Sequence, residues 1–307
     1  MDITLVPAAA EAHLDWRGLT DALIKGHALA RPEIADLFLY RGADTLLDRA
    51  AWIPGLGAAV KVATVVPGNP GRGRPMVNGV VNLFDDETGE LEALVDFHLV
   101  TKWKTAGDSL LAARLLARPD SRKFLIVGAG TVGRSMIEAY GAIFPGAEFT
   151  VWNRSPAGAE KMAAEVPGLR IAADLEAAVR ASDVIVTCTM SSAPLIKGDW
   201  LQPGQHLDLI GAYRPDMREA DDQALSRARL FVDSRATTIG HIGEIMDPLA
   251  RGVISEGDIQ GDYYDIARGA FQRRSADEIT ICKNGGGAHL DLMTSRYILD
   301  AWRLAQG

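Results

Sequence analysis

Residues 124–133 read Phe-Leu-Ile-Val-Gly-Ala-Gly-Thr-Val-Gly, an apolar strand that runs into three spaced glycines and out into a helix. Few folds accommodate this order. The strand must be buried on both faces. Gly128 makes a tight turn, Gly130 lets a ligand approach the backbone, and Gly133 lets helix and strand pack closely. The free N–H groups and the positive dipole end of the helix then face whatever lies over the turn, which favours a pyrophosphate. A glycine triplet alone is weak evidence, but here the flanking strand and helix are both present. The expectation is a Rossmann unit holding a nicotinamide dinucleotide on Gly128, Gly130, Thr131, Val132 and Gly133.

The surrounding pattern agrees. From Lys123 onward, short apolar runs alternate with helical ones: Glu148–Trp152, Leu169–Ala172, Val184–Thr187, His206–Ile210 and Leu230–Val232 as strands, with helices at 132–144, 157–166 and 175–181. That alternation specifies a parallel sheet covered on both faces. Residues 35–97 differ. Five β-type runs are separated by turn signals such as Arg41-Gly42-Ala43-Asp44 and Pro67-Gly68-Asn69-Pro70-Gly71, which read as a meander. Helical periodicity marks 15–30, 100–117 and 290–304. The fold class expected is α/β: a Rossmann domain, residues 119–288, inserted into a strand-rich α+β substrate and dimerisation domain made of residues 1–118 and 289–307.

The second strand of the unit ends Trp152-Asn153-Arg154-Ser155, where NAD-binding versions usually carry a carboxylate for the ribose 2′-hydroxyl. A carboxylate repels a 2′-phosphate, whereas Asn153, Arg154 and Ser155 can hydrogen-bond one. NADP(H) is therefore expected over NAD(H). Thr189 and Met190 follow the strand Val184–Thr187 and should border the cofactor.

Composition excludes several classes. The net charge of -8 argues against nucleic acid and against an anionic membrane surface. With 48% apolar and 23% charged residues, the chain has the make-up of an ordinary soluble domain. It shows no apolar run long enough to span a bilayer and no signal peptide. Cys188 and Cys282 have no metal spacing, so a reducing, cytoplasmic setting without a metal is expected.

Further motifs stand in order along the chain: Val60-Lys61-Val62, Pro67-Gly68-Asn69-Pro70, Gly79-Val80-Val81-Asn82-Leu83-Phe84-Asp85, Lys104-Thr105-Ala106, Trp152-Asn153-Arg154, Gly211-Ala212-Tyr213-Arg214-Pro215-Asp216 and Val232-Asp233-Ser234-Arg235. Together with the glycine turn they resemble the ornithine cyclodeaminase/mu-crystallin family, over most of the chain but less clearly in its first 50 residues. The resemblance implies a homodimer that moves hydride at the carbon bearing the nitrogen of a small amino or imino acid. It also implies a substrate pocket with Lys61 and Lys104, the latter where many members have arginine, and an early arginine that holds the carboxylate. Arg41 and Arg49 are candidates, with Arg49 preferred.

An imino acid needs cations for its carboxylate, and a lysine can hold or deliver a proton near the imine nitrogen. Lys61 is thus the catalytic candidate, and Arg49, Lys61 and Lys104 bind substrate. Lys104, Thr105, Tyr213 and Lys283 are further candidates for contact with the cofactor. Cyclodeaminases carry an aspartate where this chain has Tyr213. The Arg-Pro-Asp version resembles the ketimine reductases instead. The activity expected is NADPH-dependent reduction of Δ1-pyrroline-2-carboxylate or Δ1-piperideine-2-carboxylate. The alternatives are ornithine cyclodeaminase, an amino-acid or opine dehydrogenase, and a protein that binds its ligands without turnover.

Overall fold

A computed structural model of the protein describes residues 3–307. The chain divides into two compact units, Met1–Thr105 with Gly287–Gly307, and Ala106–Gly286.

The first unit holds a six-stranded sheet. Its strands are β1 (Thr4–Val6), β2 (Glu33–Arg41), β3 (Asp44–Ile53), β4 (Gly57–Val65), β5 (Val77–Phe84) and β6 (Leu91–Asp96), in the order β1-β6-β5-β4-β3-β2. Strands β2 to β6 form an antiparallel meander, and β1 pairs with β6 in parallel. Helix α1 (Trp16–His27) buries Leu19 and Leu23 on one stripe. In β4 the side chains alternate, as a pleated strand requires: Ala59, Lys61 and Ala63 fall on the buried face. Two alanines beside it leave room for the lysine. The C-terminal helix, Ala288–Gln306, packs on β3 and β4.

Helix α2 (Phe97–Leu116) crosses the boundary between units. The helix stop at Arg118-Pro119-Asp120 suggests a domain edge after Arg118, whereas packing divides the chain after Thr105. The reason is a buried polar chain within the second unit. Ser109 of α2 meets the Tyr140 hydroxyl at 2.7 Å, and that hydroxyl donates to Asp208 at 2.5 Å. Buried polar groups must find partners, and those of the later turns of α2 find them here.

The second unit is an eight-stranded, wholly parallel sheet. Its strands are β7 (Lys123–Val127), β8 (Glu148–Trp152), β9 (Arg170–Ile171), β10 (Val184–Thr187), β11 (His206–Leu209), β12 (Arg229–Val232), β13 (Ile259–Gly261) and β14 (Thr280–Lys283), in the order β13-β12-β14-β11-β10-β7-β8-β9. Helices α3 (Thr131–Ile143), α4 (Pro156–Glu165) and α5 (Leu175–Ala181) connect the first strands, and α6 (Asp222–Arg227), α7 (Arg235–Thr238) and α8 (Gly243–Ala250) follow. Strand order reverses between β7 and β10, the switch point where such sheets bind ligands. Strand β14, wedged between β11 and β12, was not foreseen. It has four residues, ends in a lysine and is buried on both faces, so it shows no alternation. Among the described residues no helix is long and apolar enough to cross a membrane, and no three His, Cys, Asp or Glu side chains are grouped to hold a metal.

Candidate active site

At the switch point the loops after β7, β8 and β10 enclose a cavity of about 260 Å3. Gly128, Gly130, Asn153, Arg154, Ser155, Thr189 and Met190 line it. The glycines explain its shape. Gly128 has φ +116, and a Cβ there would lie 2.8 Å from the Cys188 carbonyl oxygen. A Cβ on Gly130 would meet nothing within 4 Å, so that backbone is open to a ligand. A Cβ on Gly133 would collide with the carbonyl oxygen of Gly128 and approach the Ile126 side chain to 3.1 Å. Thr131 and Val132 stand exposed at the start of α3, with their helix N–H groups directed as a pyrophosphate site requires. The residues present fit a dinucleotide.

Asn153, which lines the cavity, also has a structural task. Its Oδ1 accepts from the Ala129 N–H at 3.0 Å, and its Nδ2 donates to the Ser155 carbonyl at 2.8 Å. It ties the glycine turn to the neighbouring loop, and Arg154 and Ser155 beside it stand exposed in the cavity lining.

Beneath this cavity lies a support that local sequence did not reveal. Glu219 is fully buried. Its Oε1 accepts from the N–H of Thr189 at 2.8 Å and the hydroxyl of Thr189 at 2.7 Å, and its Oε2 accepts from the N–H groups of Gly211 and Ala212 at 2.7 and 3.2 Å. One carboxylate thus clamps the loops that leave β10 and β11. Glu244 accepts in turn from the N–H groups of Glu219 and Ala220 at 2.6 and 3.0 Å. Burial pushes the Glu244 carboxyl up to about 7, with Lys283 opposing and Glu219 adding to the rise.

Lys283 belongs to this support and not to the ligand surface, a correction to the sequence reading. It is fully buried, and its Nζ donates to the carbonyls of Leu209 and Asn284 at 2.7 and 2.8 Å. Tyr213 is exposed, with Arg214 over its ring at 5.6 Å. Asp216 is engaged by Arg214 at 2.9 Å, so no free carboxylate stands at this turn. Cys188 lines the cavity and Cys282 is buried in β14; both are free thiols.

The first unit carries a separate cluster of charge. The strand register sets Arg49 of β3 opposite Asp36 of β2 on one side and Lys61 of β4 on the other. Asp36 takes the Nε–Nη2 edge of Arg49, with Nη2 at 2.9 Å. Lys61 donates to Oδ1 of Asp291 at 2.9 Å, and its Nζ lies 4.8 Å from the Phe97 ring centre. Lys104 of α2 is half-buried and within electrostatic reach of both Lys61 and Asp291. Its neighbour Thr105 is also half-buried on α2. Arg41 stands apart at the β2–β3 hairpin, where it pairs with Asp44 in solvent. Of the two early arginines, only Arg49 joins the lysines.

Charges so close alter one another. Burial works to raise the Asp291 carboxyl, but Lys61, Lys104 and Arg49 outweigh it and hold the group below the ordinary carboxylate range. Burial lowers the Lys61 ammonium; Asp291 raises it, while Lys104 and Arg49 lower it further, and the net result is a depressed value. Sequence reasoning missed Asp291. Its only signal is an acidic residue in the first turn of a helix, where the dipole favours a negative charge.

The family model of the ornithine cyclodeaminase/mu-crystallin family matches residues 54–306. The chain belongs to this family. It is 51% identical over 295 residues to the Δ1-pyrroline-2-carboxylate reductase of Paracoccus denitrificans, covering 94% of this chain and 93% of that one. Among solved structures, the Δ1-pyrroline-2-carboxylate reductase of Thermococcus litoralis in complex with NADH and L-proline superposes with a TM-score of 0.88 at 25% identity, covering 99% and 98% of the two chains. An archaeal alanine dehydrogenase dimer with bound NAD gives a TM-score of 0.88 at 26% identity, covering 100% and 98%.

Proposed function

We propose that this protein is an oxidoreductase acting on C=N bonds, one that reduces a cyclic imino acid with NADPH. The substrate is Δ1-pyrroline-2-carboxylate or its six-membered homologue Δ1-piperideine-2-carboxylate, and the product is L-proline or L-pipecolate. The observation that carries this reading is the charge cluster in which Lys61 contacts the buried Asp291 and lies opposite Arg49 in the strand register, with Lys104 in electrostatic reach. Three cations exceed what Asp291 and Asp36 neutralise, and the excess suits a substrate carboxylate. Arg49 and Lys104 hold that carboxylate, which leaves Lys61 for the ring nitrogen. The names borne by the relatives support the same reaction.

When bound in the second unit, the reduced dinucleotide supplies the hydride. Gly128 and Gly130 with the first turn of α3 hold its pyrophosphate, and Arg154 with Ser155 receives the 2′-phosphate. Thr189, Met190 and Tyr213 border it. The two solved relatives contain NADH and NAD, so preference for NADPH rests on Arg154 and on the absence of a carboxylate among the residues lining the cavity. Tyr213 stands where cyclodeaminases have aspartate, which disfavours release of ammonia from ornithine.

The enzyme works as a homodimer in the cytoplasm. All nine residues of β2 are exposed, including Leu37, Phe38, Leu39 and Tyr40. Beside them an apolar hollow of about 470 Å3 is lined by Ile34, Ala50, Trp52, Val60 and Phe84. Such a surface marks an interface. Sedimentation velocity should give twice the chain mass.

The activity is tested by following NADPH and NADH oxidation with each cyclic imine, beside ornithine with NAD. Imine-dependent oxidation, faster with NADPH, is expected. Ammonia release from ornithine without imine turnover would refute the reading.

A further inference from the structure

We propose that Asp291 is a positioning residue that holds Lys61 as the proton donor to the substrate's imine nitrogen, a proposal that rests on the imine-reductase reading above. The geometry is specific. Lys61 and Asp291 are buried, with side-chain exposures of 9% and 1%, and come from β4 and the first turn of the C-terminal helix. Oδ1 of Asp291 accepts from Lys61, while its Oδ2 is buried without a hydrogen-bond partner among the described residues. Buried acceptors are ordinarily hydrogen-bonded, so an unpartnered oxygen beside a buried ammonium leaves a polar position open next to Lys61. Phe97 bounds the ammonium on another side. The ammonium is thereby fixed in place with protons to spare.

The groups facing this pair are few. Arg49, already joined to Asp36, comes from β3, and Lys104 from α2. His289, on the same helix as Asp291, is held neutral by burial, with His27 of α1, Lys104 and Arg49 lowering it further and Asp291 opposing. Of the charges that act on Lys61, Asp291 is the one that favours its charged form. Without it, burial, Lys104 and Arg49 would all drive the proton off.

The step balances. A Lys61 N–H bond breaks as an N–H bond forms on the imine nitrogen. The imine carbon takes a hydride, with its electron pair, from the reduced dinucleotide, which is left oxidised. The C=N bond becomes CH–NH, and the neutral Lys61 recovers its proton from water. A reaction needing charged Lys61 is lost as pH rises through the Lys61 pKa. Removing Asp291 should move that alkaline limb to lower pH.

The test is an NMR titration of 13C,15N-labelled lysine, with the Lys61 signal assigned by K61R, in the wild type and in Asp291→Asn, together with pH–rate profiles. In D291N, Lys61 should titrate about one unit lower, and the alkaline limb should follow, cutting kcat above it by ~10-fold. Lower pH should restore the rate. Dinucleotide affinity, read in the other unit, should stay within about twofold and reports on folding. Should D291N not fold, D291E supplies the test: it should keep the Lys61 titration near that of the wild type while kcat falls, because the ammonium is displaced. An unmoved Lys61 titration and alkaline limb in folded D291N, or an unchanged kcat in D291E, would overturn the proposal. If the wild type reduces no cyclic imine while the Lys61 shift appears, the functional reading fails and the tuning of Lys61 by Asp291 stands.

Discussion

In the second unit the ligand-facing surface is largely backbone. Gly128, Gly130 and the first turn of α3 present N–H groups around an open cavity, and its charged support, Glu219 and Glu244, lies buried beneath. In the first unit the order is reversed. Charged side chains from β3, β4, α2 and the C-terminal helix meet in the interior, and small residues such as Ala59 and Ala63 make the space. A backbone cradle comes from one continuous segment and is spoiled by adding atoms. A charge cluster comes from four segments and is spoiled by removing them. The cradle suits a large polyanion used by many reactions, and the cluster suits one small anion whose protonation must be controlled.

If the division is real, substitutions should separate cleanly. The largest effect should come from Lys61→Met, which should lower kcat/KM for the imine by about 10²–10⁴-fold while fluorescence titration shows dinucleotide affinity nearly unchanged. Equal loss of both would break the comparison. Arg154→Glu should next weaken NADPH by about 1.5–3 kcal/mol, the worth of a charge-assisted contact, and should spare NADH. An equal effect on both cofactors would remove the case for the 2′-phosphate. Gly133→Ala should weaken both cofactors by about 1–3 kcal/mol through overpacking, with L-proline binding, measured by calorimetry, intact. Glu219→Gln should have the smallest effect on cofactor affinity, because it acts only through the loops, although an NH2 group set against donors it once accepted from should lower stability by about 1–3 kcal/mol. It sharpens the comparison by asking whether the buried clamp or the glycine backbone sets cofactor affinity.

The same division explains what could be read from sequence. The glycine turn and the parallel strands on either side of it were legible because each is specified by neighbours a few residues away. The meander was legible from its turns, and Lys61 was singled out only through the family resemblance of Val60-Lys61-Val62. Asp291 was not, because its partner is 230 residues distant along the chain. Glu219 was missed for a similar reason, as its ligands Thr189 and Gly211 lie on loops that only the sheet brings together. Arg49 could be preferred over Arg41 but not chosen until the register with Lys61 was known. Lys283 was read as a cofactor contact from the resemblance of Lys283-Asn284-Gly285-Gly286-Gly287 to a family turn, yet its ammonium turns inward to backbone carbonyls.

The central claim is that hydride passes to the imine carbon of a cyclic imino acid. The most direct test supplies Δ1-pyrroline-2-carboxylate with NADPH carrying deuterium at the transferred C4 position and analyses the product by mass spectrometry and NMR. The account predicts L-proline with a single deuterium at Cα, formed one for one with the dinucleotide oxidised. Undeuterated proline, or no proline while ornithine releases ammonia, would contradict it.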